Sequence, residues 1–479
     1  MTAQEQRRLV VALGRPFVET HISYVLLTDE FAYKIKKAVR FPFLDFTTLS
    51  QRRFFCHEEV RLNQPLAPFI YLGVVAIGGT PDAPVLEGGG GAVEYAVKMR
   101  KFDQAGLLSR VIERDELTRD MVDTLAGEVA AFHQRTPRAG ADVPYGAPEY
   151  VRRLAHENFT ELLPSLADVH DRSRLEHLRD WTGREAARLA PAFASRWRDG
   201  FVRECHGDLH LGNITLVNGR VTLFDRIEFN AAMRWSDVLS DVAFLVMDLR
   251  ARHRPDLAAR FLNTYLERTS DYDGLAVLPF YIVYRAMVRA KVAGLQHVGQ
   301  DFQSYLALAV REANPRRPLL VITHGVTGSG KSVRAQALVE SMEAVRVRSD
   351  VERKRMFGLD AKARSGSAPG DGLYTEDASR RTYARLAALA RTIVSAGYTV
   401  ILDAAFLKRG QRDLLRAVAD ELAVPFTIAE CSAPLPVLRE RVTRRLDAGH
   451  DPSEATLEIL ERQLAADEPL APEELRSRQ

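Results

Sequence analysis

His206-Gly207-Asp208-Leu209-His210-Leu211-Gly212-Asn213, followed shortly by Leu223-Phe224-Asp225, is the segment from which the rest of this chain can be read. It combines a carboxylate able to accept a hydroxyl proton, an amide five residues later able to hold a divalent metal, and a second carboxylate able to bridge metal and phosphates. Asp208, Asn213 and Asp225 fill those three places, and His206 is expected to brace the loop rather than react. Ordinary polar loop residues would have to reproduce all of these positions at once.

The flanking pattern agrees with such a loop. Residues 24–36 read as a hairpin with Thr28-Asp29-Glu30 in the turn, and residues 51–66 have helical spacing with Phe55, Val60 and Leu62 on the apolar side. Residues 71–77 and 93–99 read as two more strands, with the glycines at 88–91 as the hairpin loop between them. Helices are then expected at 119–133, 148–163 and 173–197, a short β-ribbon at 214–223, and helices again from 235 to about 312. A small β-rich lobe followed by a helical lobe is an α+β bilobal, protein-kinase-like order.

Asn314-Pro315-Arg316-Arg317-Pro318 interrupts the last helix and reads as a linker. Beyond it, apolar runs at 319–322, 399–402 and 425–429 alternate with helical stretches, as in an α/β domain with a parallel sheet. The expected boundaries are therefore 1–313 for the first domain, 314–318 for the linker and 319–479 for the second.

The second domain opens on Gly325-Val326-Thr327-Gly328-Ser329-Gly330-Lys331-Ser332, after an apolar strand and before a helix expected at 333–343. This is a P-loop in the setting it requires. Its glycines let backbone N–H groups wrap a phosphate, and the helix N-terminus adds partial positive charge. Lys331 is the phosphate-binding, catalytic cation and Ser332 a Mg²⁺ ligand. Asp403 ends a later apolar strand and is a second metal-site candidate; its other reading is a cap at the strand end. Asp350, just beyond the second strand, is either a base facing the cleft or the cap of a helix starting at Val351. Arg441, Arg444 and Arg445 share one helix face and are either a solvated stripe or a phosphate-binding lid.

The first half resembles the aminoglycoside phosphotransferase (choline kinase-like) family, on His206-Gly207-Asp208-Leu209-His210, Asn213, Asp225 and the downstream Trp235-Ser236-Asp237-Val238-Leu239-Ser240-Asp241. That resemblance implies that Asp208 is the base and that Asn213 and Asp225 bind metal. It also implies an ATP-binding lysine in Phe31-Ala32-Tyr33-Lys34, with Lys36 as the rival on the same strand face, and a partner acid at Glu59 or Glu58. Residues 98–102 would be the hinge against adenine. The chain departs from a Gly-rich phosphate cover, since Glu19-Thr20-His21-Ile22-Ser23 stands where glycines would be expected. In the second half, Asp350-Val351-Glu352-Arg353 resembles P-loop kinases of the polynucleotide kinase and gluconate or shikimate kinase type. There the acid is a base and the arginine, here Arg353, binds substrate; Arg441 and Arg445 would belong to the lid. The whole resembles bacterial fusions of a phosphotransferase-like domain with a P-loop kinase or AAA-type ATP-binding domain.

Composition narrows the classes. The 479 residues hold 66 basic and 63 acidic side chains, a near-balance that argues against a whole-chain nucleic-acid binder. The three cysteines form no paired motif, so neither a disulfide framework nor structural zinc is expected. No long apolar segment and no apolar leader stretch is visible, and a cytoplasmic protein is expected. The balance of acids and arginines over residues 142–199 gives no polycation-binding cleft, so a sugar or amino alcohol is as good an acceptor as an aminoglycoside. The expectation is a Mg²⁺- and ATP-dependent phosphotransferase with two kinase-like domains acting on small-molecule hydroxyls. Two alternatives stay open. One is a nucleic-acid end kinase in the second half, for which Tyr374, Tyr383 and Phe406 are the stacking candidates. The other is a non-catalytic ligand sensor in the first half.

Overall fold

The computed structural model describes residues 1–41, 43–140, 143–165, 168–295, 299–361, 363, 373, 375–448 and 454–475. The chain divides into two compact units, Met1–Ala167 with Thr182–Asp248, and Asp168–Trp181 with Leu249–Gln479.

In the first unit the strands Phe17–Glu19, Ser23–Leu27, Phe31–Lys36, Glu94–Arg100, Tyr71–Thr80 and Ala83–Leu86 lie side by side in that order, all antiparallel. Side chains alternate across a strand, so Tyr33 and Ile35 point to one face and Lys34 and Lys36 to the other. The first face buries Tyr24, Leu26, Tyr33, Ile35, Ile77 and Ala96 against Leu9 and Val10 of the helix Ala3–Ala12. The opposite face packs Tyr71 and Val97 against Cys56, Ala67 and Ile70. Cys56 belongs to the helix Leu49–Asn63, which starts in a Thr48/Gln51 capping box. That helix buries Arg52, Cys56, Glu59, Leu62 and Asn63, whereas Phe55 and Val60 are only half-buried. The expected apolar stripe is thus replaced by a largely polar one, a combination that costs stability unless each group is bonded.

The expected hairpin at 24–36 is present, with Thr28 accepting from the Phe31 amide through Oγ1 at 2.9 Å. Two expectations need correction. The glycines at 88–91 do not close a hairpin from Tyr71–Thr80 to Glu94–Arg100, because the short strand Ala83–Leu86 intervenes. Trp235–Asp237 is a strand paired with Val202–Glu204, and the helix begins only at Val238. Strands of three or four residues carry too few alternations to register as periodicity. The ribbon Ile214–Val217 with Arg220–Leu223 is where the sequence put it.

The second unit is built on a parallel sheet ordered Val345–Arg348, Val400–Asp403, Leu320–His324, Phe426–Glu430. Every residue of Leu320–His324 and Val400–Asp403 is buried, as in a parallel sheet covered on both faces. Val321, Ile401 and Ala429 share a cluster with Ala335, Leu338 and Val339 of the helix Lys331–Met342. Ala259 joins the same cluster from the helix Pro255–Thr269. On that helix Asn263 donates to Ala344 O at 2.7 Å and accepts from the Arg346 amide at 2.6 Å, which covers the open edge of Val345–Arg348. Among the described residues, no helix is long and apolar enough to cross a membrane.

Candidate active sites

The first site lies within the first unit. Gly207 has φ 86°, and a Cβ there would lie 2.9 Å from Met233 O, so only glycine fits the bend. The loop backbone is held by two acids of the helix Val238–Ala251. Asp241 accepts from the amides of His206 at 2.7 Å and Gly207 at 3.0 Å, and Asp248 accepts from Leu211 at 2.9 Å. His206 Nε2 meets Phe224 O at 2.9 Å and ties the loop to the strand that delivers Asp225. Burial pushes the His206 imidazole down to about 4 despite the nearby Asp241 carboxylate, so it acts as a neutral brace.

Asn213 Nδ2 donates to Asp208 O at 2.9 Å and to Asp208 Oδ2 at 3.0 Å. Its carbonyl oxygen is therefore the atom with coordinating capacity. The Asp208 and Asp225 side chains are 38% and 39% exposed, open enough to meet reactants. Asp225 sits at φ 63°, a left-handed conformation that aspartate and asparagine adopt more readily than other non-glycine residues, and its amide donates to Tyr71 Oη at 3.2 Å. Carboxylate and amide oxygens are the donor set of a hard divalent cation, so these residues fit magnesium.

Lys34 and Lys36 share one acid and differ in their second partner. Lys34 Nζ is 2.9 Å from Glu59 Oε1 and 2.7 Å from Asp225 Oδ1. Lys36 Nζ is 2.7 Å from Glu59 Oε2 and also pairs with Glu228. Glu59 thus bridges both lysines, whereas Glu58 pairs with Arg61 and Arg234. Lys34 is the one that reaches Asp225. Burial alone would lift the Glu59 carboxyl, but the two ammonium groups outweigh it and hold it at about 2. Burial would likewise lower Lys34, yet Asp225, Glu59 and Glu228 keep it well above the usual lysine range. Sequence reasoning missed Glu228, Tyr71 and Asp248. Only Glu228 left a trace, as an acid three residues after Asp225.

In the hinge segment, Lys98 pairs with Glu87 and sits over the Phe31 ring, and Phe102 packs edge-on against Phe224. Thr20 Oγ1 accepts from the Ser23 amide at 3.0 Å in the turn that replaces a Gly-rich cover.

The second site is a cavity of about 560 Å³ inside the second unit. Gly325 has φ 141°, and a Cβ there would lie 2.1 Å from Cys431 O. Its amide already donates to Ala405 O at 3.1 Å, so Gly325 serves close packing rather than phosphate binding. The Val326 carbonyl accepts from Lys331 Nζ at 2.7 Å, and Ser329 is buried beneath the loop. Gly330 at φ 98° is the N-cap of Lys331–Met342, and the cradle at Gly328, Gly330, Lys331 and Ser332 lines the cavity. A left-handed loop of small residues ending at a helix N-terminus fits a phosphate. Burial pushes Lys331 down, with Asp403 and Asp350 opposing only in part.

Asp350 and Asp403 both line this cavity. Asp350 is the second residue of the helix Ser349–Met356, whose N-cap is Arg348, so the capping alternative falls away. Asp403 closes its strand opposite Arg348, with Oδ2 at 3.8 Å from Arg348 Nε. Arg353 Nη1 lies 3.7 Å from Asp350 Oδ1, and Arg353 Nε donates to Thr382 Oγ1 at 3.4 Å. Arg441 reaches Gly328 O at 3.2 Å and Arg445 reaches Thr327 Oγ1 at 2.9 Å. Arg444 instead pairs with Glu440 in solvent. Gln463, unforeseen from the sequence, accepts from the Thr327 amide at 2.6 Å. Tyr383 lines the cavity and packs edge-on against Phe406; Tyr374 lies outside the described residues.

The loop that joins Asp208, Asn213 and Asp225, and the P-loop facing two carboxylates, belong to an ATP-dependent phosphotransferase of kinase type. Family comparison agrees: residues 96–278 match the model described as "Phosphotransferase enzyme family", and residues 320–470 match that described as "AAA domain". The first match begins after Lys34 and Glu59, which join the site through the fold. The chain belongs to the same family as the uncharacterized protein Rv2004c of Mycobacterium tuberculosis (strain ATCC 25618 / H37Rv). The two are 32% identical over 458 residues, covering 93% of this chain and 89% of the relative. The uncharacterized protein Mb2027c of Mycobacterium bovis matches at the same identity and coverage. Among solved structures, an ethanolamine kinase of Plasmodium vivax is similar over 63% of this chain and 83% of its own, with 10% identity and a TM-score of 0.39.

Proposed function

We propose that both halves transfer the terminal phosphoryl group of ATP, with Mg²⁺, to hydroxyl groups of small molecules such as sugars or amino alcohols. The observation that carries this reading is the meeting of three segments of the first unit: Lys34 pairs with Asp225, Asn213 bonds Asp208, and the Phe224 amide donates to Asn213 O at 3.1 Å, joining the two pairs. In that unit Asp208 accepts the acceptor's hydroxyl proton, Asn213 and Asp225 hold the metal, and Lys34, fixed by Glu59, contacts phosphate oxygens. In the second, Asp350 is the base, Arg353 grips the acceptor, and Ser332 and Asp403 hold the metal. Residues 326–332, with Lys331 the catalytic cation and Arg441 and Arg445 over the loop, take the phosphates, while Gly325 only shapes the loop. The metal supplies charge neutralisation as the phosphoryl group moves.

The domain limits that go with this reading are 1–313 and 319–479, joined by 314–318, and the compartment is the cytoplasm. The test is ATP turnover and acceptor phosphorylation, followed by mass spectrometry, in Asp208→Ala and Lys331→Ala separately. Each variant is expected to lose one set of products and keep the other. If Asp208→Ala leaves phosphorylation of every acceptor untouched, the first half is not a kinase.

A further inference from the structure

We propose that Glu228 is a positioning residue of the first site: through Lys36 it leaves Glu59 free to brace Lys34, and so lets Asp225 exchange its lysine for a metal ion. This rests on the phosphotransfer reading of that site and concerns groups too deeply buried to touch a reactant.

Lys34 and Lys36 stand two residues apart on the strand Phe31–Lys36, so their side chains share a face. Asp225 and Glu228 stand three apart on the segment that follows the strand Arg220–Leu223. Glu59 enters from the helix Leu49–Asn63. The ion pairs run from Asp225 to Lys34, to Glu59, to Lys36 and to Glu228, and the backbone from Asp225 to Glu228 closes the ring.

Exposure divides this ring. The Asp225 and Lys34 side chains are 39% and 14% exposed, whereas Glu59 and Lys36 are wholly buried and Glu228 is 3% exposed. The outer pair can meet nucleotide and metal; the inner pair cannot. Any effect of Glu228 on the reaction therefore passes through Lys36. Holding the segment in place does not depend on the Glu228 charge, because other bonds do that. Arg234 Nη1 donates to Glu228 O at 3.0 Å. Arg226, between the two acids, donates its amide to Asn63 Oδ1 and its Nη1 to Leu62 O, both at 2.8 Å.

The charge sits where the exchange needs it. When Asp225 turns to a divalent metal and Lys34 to a phosphate oxygen, Lys34 gives up one carboxylate and depends on Glu59 for its direction. Glu59 can serve it because Lys36, sealed from water, has a counterion of its own in Glu228. The Phe46 ring, 5.2 Å from Lys36 Nζ, is a far weaker counter-charge. Without Glu228 two ammonium groups would compete for one buried carboxylate, and an uncompensated buried charge is costly. Lys34 would then hold Asp225 more firmly against the metal.

The test uses full-length protein carrying Lys331→Ala, so that nucleotide binding reports the first site. Calorimetry measures the Mg²⁺ concentration at which a non-hydrolysable ATP analogue is half-bound, and melting of the metal-free, nucleotide-free protein is followed beside it. Asp225→Asn, which should abolish the Mg²⁺ dependence, ties that binding to the first site. Glu228→Gln is expected to raise the Mg²⁺ requirement about tenfold or more, the range for losing a group behind a metal ligand. Lys36→Met with Glu228→Met removes both charges and returns Glu59 to Lys34. That double variant is expected to restore the parent requirement, whatever it does to the melting temperature. An unchanged requirement in Glu228→Gln overturns the proposal, and so does an equal rise in the double variant, which would make Glu228 a fold support or a ligand. Should Glu228→Gln not fold, the double variant alone decides, by a parent or a raised requirement. Should neither fold, the pair only supports the fold and the proposal fails. If the parent shows no Mg²⁺-dependent binding, or Asp225→Asn leaves it intact, the phosphotransfer reading of the first site falls, and this inference with it.

Discussion

The two phosphate sites hold their lysines in opposite electrostatic states. In the first unit Lys34 is surrounded by Asp225, Glu59 and Glu228, and these carboxylates keep its ammonium charged despite burial. In the second, burial dominates Lys331 and lowers its affinity for a proton, because Asp403 and Asp350 compensate only in part. One site carries its own counterions; the other is completed by the phosphate it binds. The scaffolds differ in the same sense. The first positions charge through a lattice of buried ion pairs, the second through glycines whose conformations exclude side chains.

The largest effects fall on catalysis. Asp208→Ala should lower phosphoryl transfer by the first unit by about 10²–10⁴-fold, the range for loss of a general base. Lys331→Ala should lower transfer by the second by about 10²–10³-fold, comparable to removing a preorganised charge donor. Steady-state kinetics with each variant checks both, and an unchanged rate in either would remove that site from the comparison.

Next comes the buried lattice. Glu59→Gln takes away the carboxylate shared by Lys34 and Lys36, and should cost about 3–5 kcal/mol in denaturant unfolding, as for other broken buried pairs. Glu58→Gln, on the neighbouring position, leaves its partners Arg61 and Arg234 still paired with Glu204 and should cost less, about 1 kcal/mol. Equal costs would mean that Glu59 is not the keystone of the lattice.

Two pH effects are smaller. His206 stays neutral in the fold down to about 4, whereas the unfolded chain protonates near the ordinary histidine value of about 6.5. The unfolded state therefore binds the extra proton in that window, and stability should fall as pH drops from about 6.5 to about 4. His206→Asn should flatten this slope in urea titrations. At the alkaline end, Lys331 deprotonates before Lys34 does, so nucleotide affinity at the P-loop should weaken first as pH rises. Binding titrations on Asp225→Ala, which disables the first site, and on Lys331→Ala, which disables the second, separate the two curves.

The sequence made the candidate groups legible because their spacing is local. Asp208 to Asn213 is one loop, and Gly325 to Ser332 is one turn between a strand and a helix. The parallel sheet could be read too, since strands buried on both faces appear as unbroken apolar runs. What stayed hidden depends on distant segments meeting. The choice of Glu59 over Glu58 is set by which helix face turns to the sheet, and the polar stripe Arg52, Cys56, Glu59, Asn63 has no apolar period to announce it. Tyr71, Asp248 and Gln463 enter their sites through single hydrogen bonds made across the fold. The short strand Ala83–Leu86 was lost among glycines and prolines that read as loop.

One chain with two nucleotide sites of different construction should hold two nucleotides at once. Equilibrium dialysis of a non-hydrolysable ATP analogue with Mg²⁺ tests it most directly. Two bound nucleotides per chain are expected in the wild-type protein and one in Lys331→Ala, the survivor displaced only by changes around Lys34 and Asp225. A single nucleotide per wild-type chain, lost altogether in Lys331→Ala, would contradict it.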